Sequence, residues 1–379
     1  MRGPKVVIVG GGTMGLAAAW ALARRGHTVT VLERHGLVHE LGSHGGHTRV
    51  IRQAYHEGSS YVPLVRESEA QWQQLGQRVG QALLVRCGLL EFGPDDDPEY
   101  RAAVDVCEAC DVEHTVMDAA TARARWPVDV PDGWSACLSP SGGYLRVAAC
   151  LRAFAKEATT AGATIRTHTR VHAITPTRDG VSVAIDGETI VADRVVVASG
   201  AWLPELLPDT AASELVRMRR VLAWTQPDAA HRPALAAMPV WGAFVPDGFF
   251  YGFPYNEEGV AGFKLACHTT SALDFLNDAI DPETVDRDAH PRDLQILETF
   301  VDRYLPRARG PWTQTKVCMY TVTPSWDFLV DRSPTDPRIV VAGGFSGHGF
   351  KFAPAIGRLV ADLVDSDAPP QNDFSFDRL

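Results

Sequence analysis

The first patterned stretch is an unbroken apolar run, Val6-Val7-Ile8-Val9, which predicts a strand buried on both faces. Alanine and leucine at helical spacing predict a helix over residues 14–25, and a second strand follows at 28–32. Amphipathic periodicity predicts helices over 61–75, with Leu64, Val65, Trp72 and Leu75 facing a core, over 98–110, and over 118–125, where Pro127 stops it. A turn at 139–143 leads to a helix over 146–161 that ends at Gly162. Strands are expected at 83–92, 164–167, 171–175, 181–185 and 189–197. From 215 to 319 the texture changes to aromatic-rich strands at 216–224, 240–245, 249–253 and 260–267, interrupted by one helix at 292–305. A strand at 338–342, a glycine loop and a helix over 353–364 follow. The segment 36–58 has neither period and is too long for a plain connection, which marks it as functional.

The fold class this predicts is α/β plus α+β. A parallel, Rossmann-like body is built from both ends of the chain, and a second, largely antiparallel sheet lies in the middle. With 379 residues, two domains are expected: one from 1–84, 141–214 and 321–379, the other from 85–140 and 215–320.

The Rossmann expectation rests on Gly10-x-Gly12-x-x-Gly15 between the first strand and the first helix. Gly10 permits the tight turn, Gly12 lets backbone approach a pyrophosphate, and Gly15 lets helix pack on strand. Thr13 and Met14 open the helix whose N-terminus faces the phosphates. Glu33, 18 residues after Gly15, stands at the tip of the second strand, where a carboxylate can accept from ribose hydroxyls. A second strand ending in small residues, Val197-Ala198-Ser199-Gly200-Ala201-Trp202, again lets backbone approach a cofactor.

Charge narrows the partners. Acidic residues outnumber basic ones 46 to 36, which argues against nucleic acid. No apolar run approaches membrane-span length and no secretory signal is visible. Seven cysteines, an odd count, fit a reducing, cytoplasmic setting. The Cys107-x-x-Cys110 pair lies in a helix without a second pair, so no metal is expected there.

Several longer runs carry a family resemblance that covers essentially the whole chain. They are Gly10-Gly11-Gly12-Thr13-Met14-Gly15, Ser43-His44 through Thr48-Arg49-Val50-Ile51-Arg52, Tyr251-Gly252-Phe253-Pro254, and Phe263-Lys264-Leu265 with His268. To these are added Lys316-Val317-Cys318-Met319-Tyr320-Thr321 and Gly344-Phe345-Ser346-Gly347-His348-Gly349-Phe350-Lys351-Phe352. The sequence resembles monomeric sarcosine oxidase and its relatives, which oxidise N-methyl and other secondary amino acids with covalently bound FAD. The resemblance implies that Cys318 is bonded to the 8α-methyl of the flavin. It implies that Arg52 and Lys351 hold the substrate carboxylate, that Lys264 assists the reaction with O2, and that Thr48 and Arg49 flank the flavin. Tyr251, His268 and Tyr320 become pocket residues, with Glu33 and Arg34 at the adenosine end. Val171, Met319, Gly344, Gly347, Gly349 and Phe350 are expected to line the cofactor with the residues already named. Gly45 and His47 depart from the family pattern, which commonly has a histidine and an acidic residue there. The stretch 269–279 reads as longer than in sarcosine-specific members and is expected to reshape the pocket mouth. Phe244 and Val245, before the turn Pro246-Asp247-Gly248, are further candidates for the pocket wall.

These residue types suit such chemistry. An arginine grips a carboxylate with a planar fork and a lysine adds a point charge. A cation-rich pocket favours the neutral amine, with His268 and Tyr251 as tuners of that proton. The helix after Gly349 would aim its N-terminus at charge developing on the flavin. The expected partners are a small secondary amine and O2, and the expected state is a monomer. Alternatives keep the fold and change the substrate to a cyclic imino acid, a glycated amino acid or a biosynthetic intermediate. A non-oxidase FAD-binding protein or a subunit passing electrons to a partner is a third reading, and NAD-only chemistry a fourth.

Overall fold

The computed structural model describes residues 3–207, 209–257, 259–270, 277–367 and 373–379. Strand Lys5–Val9 is the inner strand the apolar run predicts, with Val6, Val7 and Ile8 wholly buried. It lies in a six-stranded sheet ordered Leu329–Ser333, Asp336–Gly343, Arg194–Val197, Lys5–Val9, Thr28–Leu32, Thr164–Arg166. The last five strands run parallel, and the first closes the edge as an antiparallel hairpin. Alternation sorts the apolar residues between two faces. Val6 and Ile8 pack beneath helices Thr13–Arg24, Val147–Thr160 and Ala353–Asp365, whereas Val7 and Val9 pack against the antiparallel sheet Val171–Thr177, Gly180–Ile185, Glu188–Ala192.

The middle of the chain supplies an eight-stranded sheet ordered Trp312–Val322, Val216–Thr225, Phe263–Thr269, Gly248–Gly252, Val240–Val245, Leu89–Pro94, Trp134–Ser139, Thr115–Asp118. All its pairings are antiparallel except that between Val240–Val245 and Leu89–Pro94. One face buries Trp241, Phe250 and Phe263 against helix Pro291–Tyr304, with the Phe250 and Phe300 rings stacked at 4.3 Å. By the same alternation Glu91, Tyr251, Lys264 and His268 emerge on the opposite face.

Three expectations are corrected. Residues 189–197 are two strands in two sheets, because Asp193 turns the chain between them, its carboxylate accepting from Lys5 N–H at 2.7 Å. Residues 83–92 likewise divide at Gly88, whose φ of +80° breaks the extended path. The segment 36–58 is not without regular structure, since Thr48–Ile51 pairs with Gly143–Arg146 in a small fourth sheet. Of the stretch 269–279, residues 271–276 lie outside the described ones. Among the described residues no helix is long and apolar enough to cross a membrane.

Candidate active site

Between the parallel sheet and the inner face of the eight-stranded sheet lie two adjoining cavities, of about 350 and 70 Å³. Arg49, Tyr251, Gly347 and Phe350 belong to the walls of both.

The large cavity begins at the glycine turn. Gly12 is the N-cap of helix Thr13–Arg24, with no side-chain cap and no acid in the first turn, so the helix presents its first N–H groups to the cavity. Gly15 does not line the cavity. A Cβ on it would lie 1.8 Å from the Gly10 carbonyl oxygen, so its role is to let helix meet turn. Glu33 accepts from the N–H groups of Gly11 and His35, each at 2.7 Å, and lies 3.3 Å from His39 Nε2. Burial opposes its charge, but these donors hold the carboxyl below its ordinary range. Met14, Val171 and Gly200 complete this end, and at the rim Arg34 pairs with Glu283, which also accepts from Trp202 Nε1 at 3.0 Å.

Three buried hydroxyls in these walls, Thr13 Oγ1, Ser199 Oγ and Thr321 Oγ1, have no hydrogen-bond partner among the described residues. Orphaned hydroxyls are costly unless a ligand satisfies them. With the uncapped helix start and the glycine cradle, they fit an elongated dinucleotide such as FAD.

His44 stands beside the first glycine turn, where a Cβ on Gly12 would lie 3.8 Å from its Nδ1, and the wall continues through Ser43, Cys318, Met319 and Tyr320 and through Gly344, Gly347, Gly349 and Phe350 of the second glycine loop. Gly347 has φ +82°, and a Cβ there would overlap the Tyr320 ring at 2.2 Å. Phe350 to Phe352 form a single 3-10 turn, so the following helix starts at Ala353, one turn later than a helix opening on Gly349. Burial lowers His44 to about 4, leaving a neutral ring. Burial raises the Cys318 thiol, against the pull of Arg49 and Lys264. Arg49 donates to the carbonyls of Thr48 and Ser43, each at 2.9 Å.

Thr48 and Lys264 lie behind the walls of both cavities. Lys264 Nζ donates to the carbonyls of Gly46 at 2.6 Å and Thr48 at 2.9 Å, and to Thr48 Oγ1 at 3.0 Å. It sits 4.2 Å from the Phe253 ring centroid. Burial, then Arg49, hold its ammonium well below the usual lysine range. Gly46 has φ +99°, which points its carbonyl at this lysine, and His47 is likewise left-handed at +65°. The departures at 45 and 47 therefore sit in the turn that holds Lys264.

The small cavity gathers Arg52, Lys351, Glu57, Glu91, Tyr251 and His268. Arg52 is buried and pairs with Glu57, while Lys351 Nζ donates to the His348 carbonyl at 2.7 Å. Burial, with Arg52 nearby, lowers Lys351 to about 7. Burial holds His268 well below its ordinary value, so its ring is neutral, with Nδ1 3.0 Å from Tyr320 Oη. Phe249 lines this cavity, whereas Phe244 stacks behind it at 4.6 Å and Val245 lies outside the lining. Sequence reading missed Glu57, Glu91 and Glu283. Glu91 left a signal, an acid inside the apolar run Leu89-Leu90-Glu91-Phe92; Glu57 and Glu283 left none.

The chain belongs to the FAD dependent oxidoreductase family, whose model matches residues 5–363. It is 33% identical to monomeric sarcosine oxidase of Bacillus sp. (strain B-0618), over 95% of this chain and 91% of that one. It is also 33% identical to N-methyl-L-tryptophan oxidase of Yersinia pestis (strain Pestoides F), over 98% and 97%. Among solved structures it matches the open form of NikD, an unusual amino acid oxidase essential for nikkomycin biosynthesis, with TM-score 0.83 and 28% identity over 98% and 96% of the two chains.

Proposed function

We propose that the protein is a flavoprotein oxidase of small secondary or N-methyl amino acids. What carries the reading is the adjacency of two cavities. A small one bearing Arg52 and Lys351 opens through Arg49, Tyr251, Gly347 and Phe350 onto a long one that contains Cys318. An acid group held by the two cations would place the carbon beside its amine at that opening. FAD, when bound, supplies the acceptor for the hydrogen and electron pair leaving that carbon. Arg52 and Lys351 bind and orient the carboxylate, and their charge favours the neutral, reactive amine. Neutral His268, hydrogen-bonded with Tyr320, is placed to share the amine proton. Cys318 is read as the covalent attachment point, and Lys264, behind Arg49 and Thr48, as the cation that assists O2. The products are an imine, hydrolysed by water to a primary amine and formaldehyde for N-methyl substrates, and hydrogen peroxide.

The ranges 1–84, 141–214 and 321–379 are assigned to FAD binding, and 85–140 and 215–320 to the substrate. Support comes from the eight-stranded sheet, whose strands fall between 89 and 139 and between 216 and 322. The protein is read as a monomer of the cytoplasm. The test is a panel of N-methyl, cyclic imino and glycated amino acids, scored for hydrogen peroxide and for formaldehyde. Peroxide from at least one is expected, with formaldehyde from N-methyl members. Protein that stays colourless, or yields no peroxide with any of them, contradicts the reading.

A further inference from the structure

We infer that Glu91 selects the substrate's side chain. The small cavity takes a secondary amino acid whose side chain carries an N–H donor, and Glu91 accepts that hydrogen bond. The inference rests on the amino acid oxidase reading above and adds a substrate class to it.

Three observations carry it. First, Glu91 lines the small cavity, is 1% exposed, and its Oε1 has no hydrogen-bond partner among the described residues. A buried acceptor left unmade is costly, so its persistence in a cavity wall points to a donor that arrives with the ligand. Arg52 does not fill that role, because its Nη2 is committed to both oxygens of Glu57 and its Nη1 to the Ala54 carbonyl.

Second, strand register fixes where Glu91 stands. Glu91 pairs with Gly242, and Gly242 pairs with Tyr251 on the next strand. Strands lie about 4.8 Å apart, so Glu91 is roughly 10 Å across the sheet from Tyr251. Tyr251 belongs to both cavities and Glu91 to the small one alone. The carboxyl therefore stands away from the opening where the reacting carbon lies, and since Arg52 and Lys351 take the acid group, the part of the substrate left to meet Glu91 is its side chain.

Third, the residue between them is a glycine. A Cβ on Gly242 would come within 3.0 Å of the Phe249 ring and 3.4 Å of Glu91 Cγ. Its absence lets the Phe249 ring lie down on the sheet beside the Glu91 side chain, so that ring and carboxyl together line the small cavity. An apolar side chain in the small cavity leaves Glu91 unsatisfied, and an acidic one meets Glu57 and Glu91. An N–H donor suits the carboxyl in either protonation state, and burial raises Glu91 to about 7.

The test uses the flavin-loaded enzyme and a near-isosteric pair, Nα-methyl-L-asparagine and Nα-methyl-L-leucine, with sarcosine as reference. We expect kcat/KM to favour the asparagine derivative by about 100-fold or more, below the range of fully built polar sites. The ratio should fall at least about tenfold in Glu91→Gln and approach unity in Glu91→Leu, read within each variant so that general loss of activity cancels. The inference is overturned by a wild-type ratio of one or less, by a ratio kept in both variants, or by oxidation of sarcosine with neither derivative accepted. In those cases peroxide from sarcosine leaves the oxidase reading standing. No peroxide from any of the three overturns both. If neither variant retains flavin, the wild-type ratio decides.

Discussion

Arg52 Nη2 donates to both carboxylate oxygens of Glu57 at 2.7 Å, so the cation assigned to the substrate's acid group already holds an acid of the protein. Burial opposes both charges. Even so, the pairing keeps Arg52 above and Glu57 well below their ordinary ranges. A substrate carboxylate must therefore share Arg52 with Glu57 or displace it. Replacing Glu57 by glutamine should tighten an inert carboxylate such as propionate by roughly tenfold, about 1.4 kcal/mol. It should also lower the melting temperature, since a buried charge loses its partner. Titration of the holoenzyme followed by flavin absorbance checks the first effect, and weaker binding would count against the role of Arg52.

The same inert carboxylate should report the pH behaviour of the small cavity. Lys351 is lowered to about 7 by burial and by Arg52, so it loses its positive charge as pH rises through that value. Glu91 is raised to about 7 by burial, so it gains a negative charge over the same interval. Both changes disfavour an anion, and affinity should weaken above pH 7 by about tenfold per pH unit for each group. Lys351→Arg should remove the lysine's share, because a guanidinium stays charged. Affinity that is flat from about pH 6 to 9 would contradict the assignment.

Cys318 stands in the wall of the large cavity, buried, on the strand that also carries Tyr320. Cys318→Ala should yield protein whose yellow colour passes into the supernatant on acid precipitation, whereas wild type keeps it in the pellet. Colour that stays with the precipitated variant would rule out Cys318 as the link.

Lys264 is tied to the turn 46–48 by three hydrogen bonds. Lys264→Met should slow reoxidation of the reduced enzyme by O2 about 10²-fold or more, the scale of losing one charge stabiliser. Anaerobic reduction by substrate should change much less. Stopped-flow measurement of the two half-reactions separates these, and equal losses would remove Lys264 from oxygen chemistry.

The part of the cofactor site at the first glycine turn is local in sequence, which is why it is legible. A strand, three glycines, a helix start and Glu33 lie within one βαβ unit, and the structure brings all but Gly15, which packs helix against turn, to one cavity. The resemblance supplied Cys318, Arg52, Lys351, Lys264 and His268, which come from four separate strands and loops. What escaped depends on long-range register. Glu91 reaches the small cavity only because Leu89–Pro94 pairs with Val240–Val245, and that parallel contact spans about 150 residues of chain. Glu57 gains its meaning from a bond to Arg52 within a segment that has no period. The break at Asp193 was hidden because two strands of similar composition abut, and the periodicity does not show that they belong to different sheets.

The central claim is that an acid group gripped by Arg52 and Lys351 presents an amine to a bound flavin. Anaerobic titration of the purified holoenzyme with sarcosine and larger N-methyl amino acids, watching the yellow absorbance, tests it most directly. The predicted result is stoichiometric bleaching by at least one amine, opposed competitively by propionate and shifted to much higher amine concentration in Arg52→Met. Flavin that no such amine bleaches, or bleaching that ignores both propionate and the loss of Arg52, would contradict it.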